Sequence, residues 1–155
     1  MKICLIGQNL TNFILALAFA EKKISVDIHI NKKINNYKTD RTIAISKKNF
    51  DYLNSLIKKP IHSWQSKEIK IYIEKSRSKE IINFKNNNKE VFNLVKFDKL
   101  VNLFAIKIKK SKFIHLNKID KLSQNYIHKV KNYDLVINSD SNNIISKKHF
   151  NNKIK

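Results

Sequence analysis

The feature that most narrows what this chain can fold into lies within Lys2–Ile30. It is a short apolar run, a lone glycine, a helical stretch and a second apolar run. Lys2 to Ile6 reads as a short buried strand. Thr11 or Asn12 is placed to cap a helix running to about Lys22, with Phe13, Leu17 and Ala16 or Ala20 on one face. Ile24 to Ile30 alternates, with Ile24, Val26, Ile28 and Ile30 on one side and Ser25, Asp27 and His29 on the other. Two strands joined by a helical crossover of this length are expected to be parallel and adjacent, with a right-handed connection. The turn at Gly7 then faces any ligand.

A polar loop from Asn31 to Asp40 leads to Arg41 and, just after it, a short strand of Thr42 to Ile45. Ser46 is placed to cap a helix carrying Phe50, Leu53 and Ile57, and Pro60, the sole proline, stops it. Ile69 to Ile73 and Glu80 to Phe84 alternate on either side of residues 75–78, which predicts an antiparallel hairpin. Lys85 to Lys89 reads as a loop and Phe92 to Val95 as a strand. Asp98 to Ile108 has helical spacing at Leu100, Leu103, Phe104 and Ile108. Short strands are expected near Phe113 to Leu116 and Tyr126 to Val130. A last apolar strand, Tyr133 to Ile137, runs into the polar turn 138–142.

At 155 residues the chain suits one domain with a real core, and the 42% hydrophobic content fits a globular fold. No apolar run approaches the length that spans a bilayer. The formal charge of +20 favours an anionic partner, nucleic acid or a membrane surface. Yet the basicity is almost all lysine, Arg41 and Arg77 being the sole arginines, whereas groove readers lean on arginine's planar fork. The lysines also lie along the whole chain beside abundant Asn and Ile, as compositional drift produces. A solvated lysine coat is the preferred reading, and nucleic acid is not the expected partner. Cys4, the single cysteine, sits in the first strand as a buried thiol, which suits a reducing compartment. Ala18-Phe19-Ala20 has the small-residue pattern of a cleavage site, but the polar Gly7-Gln8-Asn9 and Thr11-Asn12 interrupt the apolar region.

A phosphate-binding turn uses glycines so that backbone N–H groups can approach the phosphate and the helix can pack on its strand. Gly7 takes the first such place, while Asn9 and Asn12 occupy the second and third. Asn tolerates unusual backbone angles, but the Asn9 side chain would project where a phosphate lies. Ile30 and Asn31 stand where an acid would hold a ribose hydroxyl. His29, His62, His115, His128 and His149 are scattered without ligand spacing, so no metal is expected. Arg41, just ahead of a strand, suits a phosphate or flavin oxygen.

Taken in order, "CLIGQNLTNFILALAFAEKKISVDIHI", "DRTIAISKKNFDYLNSL", "PIHSWQSKEIKIYI", "VFNLVKFDKLVNLF" and "YDLVINSDSNNIISKKHF" resemble the N-terminal part of the class A flavin monooxygenases. The resemblance is to the ubiquinone-biosynthesis aromatic hydroxylases of the UbiH/VisC type. It implies an α/β, Rossmann-like FAD-binding domain over 1–155, with a parallel sheet, crossover helices, a small antiparallel hairpin and a basic tail from about 147. It assigns FAD contacts to Gly7, Asn9, Asn12, Arg41 and Asp140, with Ser141 where the family's Asp-Gly motif has glycine. It also implies NAD(P)H as reductant and a polyprenylated phenol as substrate. The family continues into a substrate-binding sheet, so the alternatives are a fragment, a split gene whose partner chain completes the site, or a degenerate non-catalytic paralogue, and these residues alone are not expected to turn over substrate. A cytoplasmic location, peripheral to the inner membrane face, follows from the same resemblance and the positive charge.

Overall fold

The computed structural model describes residues 1–30, 38–73, 80–85, 89–119, 126, 130–140, 143 and 145–147. The chain divides into two compact units, Met1–Asn36 with Val101–Lys155, and Tyr37–Leu100.

The first unit is a four-stranded parallel sheet in the order β8-β2-β1-β9, built from β1 (Lys2–Ile6), β2 (Ser25–Ile30), β8 (Ile114–Lys118) and β9 (Leu135–Asn138). Helix α1 (Leu10–Glu21) connects β1 to β2. Its apolar residues fall at helical spacing, and Phe13, Ala16 and Leu17 are buried with Ile3, Leu5, Val26 and Ile28 of the strands. Both strands of the sequence-defined unit are thus hydrophobic because both faces of a parallel sheet are covered. The helix begins two or three residues earlier than Thr11 or Asn12 as cap would place it. Asn9 is the N-cap, with extended backbone, and its side chain accepts from the Asn12 amide.

Alternation in β2 does not mark a wet face. Asp27 and His29 are buried along with Val26, Ile28 and Ile30. Their side is covered by residues from the far end of the chain, where Cys4 and Ile6 cluster with Tyr126, Val130, Ile119, Tyr133 and Ile145. The strand expected near Tyr126 to Val130 is corrected at Tyr126, which is helical and whose carbonyl accepts from the Val130 amide. Residues 127–129 lie outside the described residues.

The second unit holds a three-stranded antiparallel sheet ordered β3-β7-β4, from β3 (Thr42–Ser46), β4 (Trp64–Ser66) and β7 (Phe92–Lys96). Helix α2 (Lys47–Ile57) buries Phe50, Leu53, Leu56 and Ile57. Ser46 is its N-cap residue but makes no side-chain cap bond, and the helix closes at Lys58 in the left-handed conformation, ahead of Pro60. The expected hairpin is present as β5 (Glu68–Tyr72) and β6 (Glu80–Lys85), paired antiparallel. Its turn at 75–78, and the cores of the loops expected at 31–40 and 85–89, lie outside the described residues. Helix α3 (Phe97–Lys109) starts in this unit and continues into the first, where Val101, Phe104, Ala105 and Ile108 form its buried stripe. No described helix is long and apolar enough to cross a membrane.

Candidate functional site

In the parallel sheet the chain runs outward from β1 to β2 and then β8, and returns to the other side of β1 as β9. The direction of winding therefore reverses between β1 and β9. In open α/β sheets, the crevice beyond the carboxyl ends of two such strands is where ligands bind, because the loops there diverge. The register pairs Ile6 with Asn138, so Gly7–Asn9 and Ser139–Asp140 leave the sheet side by side.

Gly7 has φ +114°, a backbone state closed to L side chains at low energy. Its amide donates to the His29 carbonyl at 3.0 Å, which continues the pairing with β2 one residue past the end of β1. A Cβ at Gly7 would lie 3.0 Å from Asp140 Cβ and 3.4 Å from both Asn9 Nδ2 and the Asp140 nitrogen. The glycine is thus required twice over, by conformation and by the close approach of the Asp140 turn. That turn is held by its own bonds: the Asp140 amide donates to Asn138 Oδ1 at 3.2 Å, and Ser146 Oγ donates to the Asp140 carbonyl at 2.7 Å.

Asn9 spans the crevice. Its Oδ1 accepts from the Asn12 amide at 3.0 Å, while its Nδ2 donates to Ser139 Oγ at 2.7 Å and to the Ser139 carbonyl at 3.2 Å. Asn12, in the place of the third glycine, is fully buried and turns back under the loop, donating to the Ile6 and Gly7 carbonyls at 3.0 and 2.8 Å. Its Oδ1 accepts from none of the described residues. What Asn12 can offer a ligand is its backbone N–H, and that is held by Asn9.

Gly7, Asn9, Asn12 and Asp140 are therefore brought together. Arg41 belongs to the second unit, in the residue before β3. It is exposed, its carbonyl accepts from the Phe97 amide at 2.9 Å, and its guanidinium carbon stands 5.3 Å from the centre of the Phe97 ring. At the end of β2, Ile30 is buried and supplies no carboxylate for a ribose.

No local sequence pattern marks Ser139, because its partner Asn9 is distant in the chain. The same holds for a polar group on the sheet, whose members come from both ends of the chain. Tyr133 Oη donates to Asp27 Oδ2 at 2.5 Å and stands 3.3 Å from His29 Nε2; His29 Nδ1 shares a hydrogen bond with Tyr126 Oη, and Cys4 Sγ lies 3.6 Å from His29 Nδ1. Lys2 Nζ closes the group 3.4 Å from Asp27 Oδ2. Burial pushes the Cys4 thiol up to about 11, raises both tyrosines, and lowers His29 against the opposing pull of Asp27. At neutral pH these four groups are uncharged, which suits a satisfied core network and not a nucleophile or a general base.

A dinucleotide phosphate needs one glycine for the tight turn, a second where the backbone approaches the phosphate, and a helix N-terminus beside them. Gly7 and the start of α1 meet the first and last of these demands, while Asn9 stands in the second place with its side chain bonded to Ser139.

No family model and no curated protein sequence matches the chain. Among solved structures it is similar to p-nitrophenol 4-monooxygenase PnpA from Pseudomonas putida DLL-E4, at 11% identity and a TM-score of 0.55, over 79% of this chain and 33% of that one. It is also similar to 2,6-dihydroxypyridine-3-hydroxylase from Arthrobacter nicotinovorans, at 12% identity and a TM-score of 0.51, over 77% of this chain and 28% of that one. The likeness is one of fold, and the chain spans about a third of either neighbour's length.

Proposed function

We propose that this chain is the FAD-binding portion of a monooxygenase-like protein that hydroxylates an aromatic ring. The observation that carries the reading is the crevice between β1 and β9, where Gly7, the start of α1 and the Asp140 turn meet at the reversal of the sheet. Similarity of fold to two enzymes whose names state monooxygenation or hydroxylation supports the same class. Gly7 and the amides of Asn9 and Asn12 would hold the pyrophosphate and Asp140 would lie on its cofactor side; a flavin contact by Arg41 is what the sequence resemblance implies. Bound flavin would supply the oxygen chemistry. The chain's own part is to seat and orient it.

Within that reading the finer assignment is to ubiquinone biosynthesis, with a polyprenylated phenol as substrate, NAD(P)H as reductant and contact with the inner membrane face. The sequence resemblance supports it. Hydroxylation needs a site sheltered from water over the flavin ring, which a substrate-binding part of the protein or a partner chain would supply.

The Asn9–Ser139 bridge favours a second reading, a subunit that keeps the fold without the cofactor. One experiment separates the two. The purified chain is titrated with FAD and its visible spectrum recorded. Perturbed flavin bands on saturable binding support the first reading, while a colourless protein that ignores FAD at about millimolar concentration, a range where binding free energy is only about 4 kcal/mol, refutes it.

A further inference from the structure

We infer that Asn9 is an internal latch on the phosphate seat: its carboxamide occupies the helix-end donor and the crevice mouth, and a dinucleotide enters only when that side chain swings out. The inference rests on the reading of the β1–β9 crevice as a dinucleotide seat.

The geometry carries it through both ends of one side chain. At one end, Asn9 Oδ1 takes the Asn12 N–H at 3.0 Å, so the carboxamide oxygen stands in for an anion at the start of α1. At the other, Nδ2 reaches Ser139 Oγ and the Ser139 carbonyl at 2.7 and 3.2 Å, tying the first turn to the end of β9. Ser139 is itself anchored, its amide donating to the Ile6 carbonyl at 3.2 Å. The backbone beneath the latch is held on both sides, the Gly7 amide donating to the His29 carbonyl at 3.0 Å and the Asp140 turn being fixed by Asn138 and Ser146. A ligand must therefore displace the side chain and not the loop.

The exchange is close to balanced. A phosphate would replace neutral hydrogen bonds with charge-assisted ones, which are roughly twice as strong. The latch, however, is part of the chain and is always present at high effective concentration. Its removal should leave the donor free and the seat open. Glycine suits this position as an N-cap nearly as well as Asn, costing helices little.

The test uses the full chain as wild type, Asn9→Gly and Asn9→Asp, each titrated with FAD, with thermal melts alongside. Asn9→Gly should bind FAD at least about tenfold more tightly than wild type, the worth of one charge-assisted hydrogen bond gained. Asn9→Asp keeps the cap but places a carboxylate in the seat, so it should bind no more tightly than wild type. In nitrogen-15 spectra the Asn12 amide should move at lower FAD concentration in Asn9→Gly than in wild type. Equal FAD affinity of wild type and Asn9→Gly overturns the latch and leaves the proposed function standing. Binding by neither at millimolar FAD overturns both. If Asn9→Gly does not fold, Asn9→Ala, which lacks both arms of the latch, takes its place, and wild-type affinity in that variant overturns the latch.

Discussion

Replacing Gly7 by alanine tests the architecture of the crevice without any ligand. At φ +114° an L residue is strained by about 1–3 kcal/mol. The added methyl would lie 3.0 Å from Asp140 Cβ, well inside the ~3.5–4.0 Å at which carbon atoms attract. The Asp140 turn cannot easily retreat, since Asn138 and Ser146 both hold it. Forcing an extra methyl into such a contact costs about 1–3 kcal/mol. Against this, alanine restricts the unfolded chain and returns about 0.4–1 kcal/mol. The net expectation is a destabilisation of about 2–4 kcal/mol, a large share of the roughly 5–15 kcal/mol typical of a domain. Urea unfolding followed by far-ultraviolet circular dichroism measures it, the midpoint falling with the slope unchanged. Fluorescence alone would be misleading, because the single tryptophan, Trp64, belongs to the other unit. Gly7→Asn should be no milder than Gly7→Ala, because +114° lies far outside the left-handed helical region near +57° that asparagine tolerates. A loss under about 0.5 kcal/mol for Gly7→Ala, no more than an ordinary surface substitution, would refute the claim that conformation and close approach both demand glycine here.

Three further outcomes follow from single residues. Lys58 closes α2 at φ +57°, so Lys58→Gly should raise the stability of the second unit by about 0.5–1 kcal/mol, read from the urea midpoint by Trp64 fluorescence. His29 is held neutral mainly by burial, below the 6.5 of an exposed imidazole. The unfolded chain then takes up a proton that the native one refuses, so stability falls as pH drops below 6.5 towards the native value; His29→Gln should flatten that slope in urea midpoints taken between pH 7.5 and 5. Cys4, fully buried and with its thiol pushed up to about 11, should react with iodoacetamide at pH 8 at least about a hundredfold more slowly in the native chain than in urea, and comparable rates would show that the strand is open.

Much of the fold was legible because its signals are local. The helical spacing of Phe13, Ala16 and Leu17, the hairpin alternation either side of 75–78, and the stripe of α3 each describe one element and its buried face. The helix cap was misplaced because Asn9, Thr11 and Asn12 are all cap-forming types, and only Ser139 on the far side of the crevice decides among them. At Tyr126 a short apolar stretch suits strand or helix alike, and the residue is helical and buried beside Cys4. Gly7, Asn9 and Asn12 are recognisable as a spacing pattern after a strand. The bridge from Asn9 to Ser139 is not, since its partner follows β9, far along the chain.

By itself the sequence determined the strand–helix–strand unit of Lys2–Ile30, the antiparallel hairpin and the need for a glycine at position 7, because these depend on periodicity and backbone freedom within a few residues. Tertiary structure alone decided that β9 lies beside β1 and not beyond β8, which brings Asp140 against Gly7, and that the polar side of β2 is buried under Tyr126 and Tyr133. Parallel strands pair through long crossovers, and no pattern within a strand says which neighbour it will take; that choice is made by the faces and edges left uncovered once the rest of the sheet has formed.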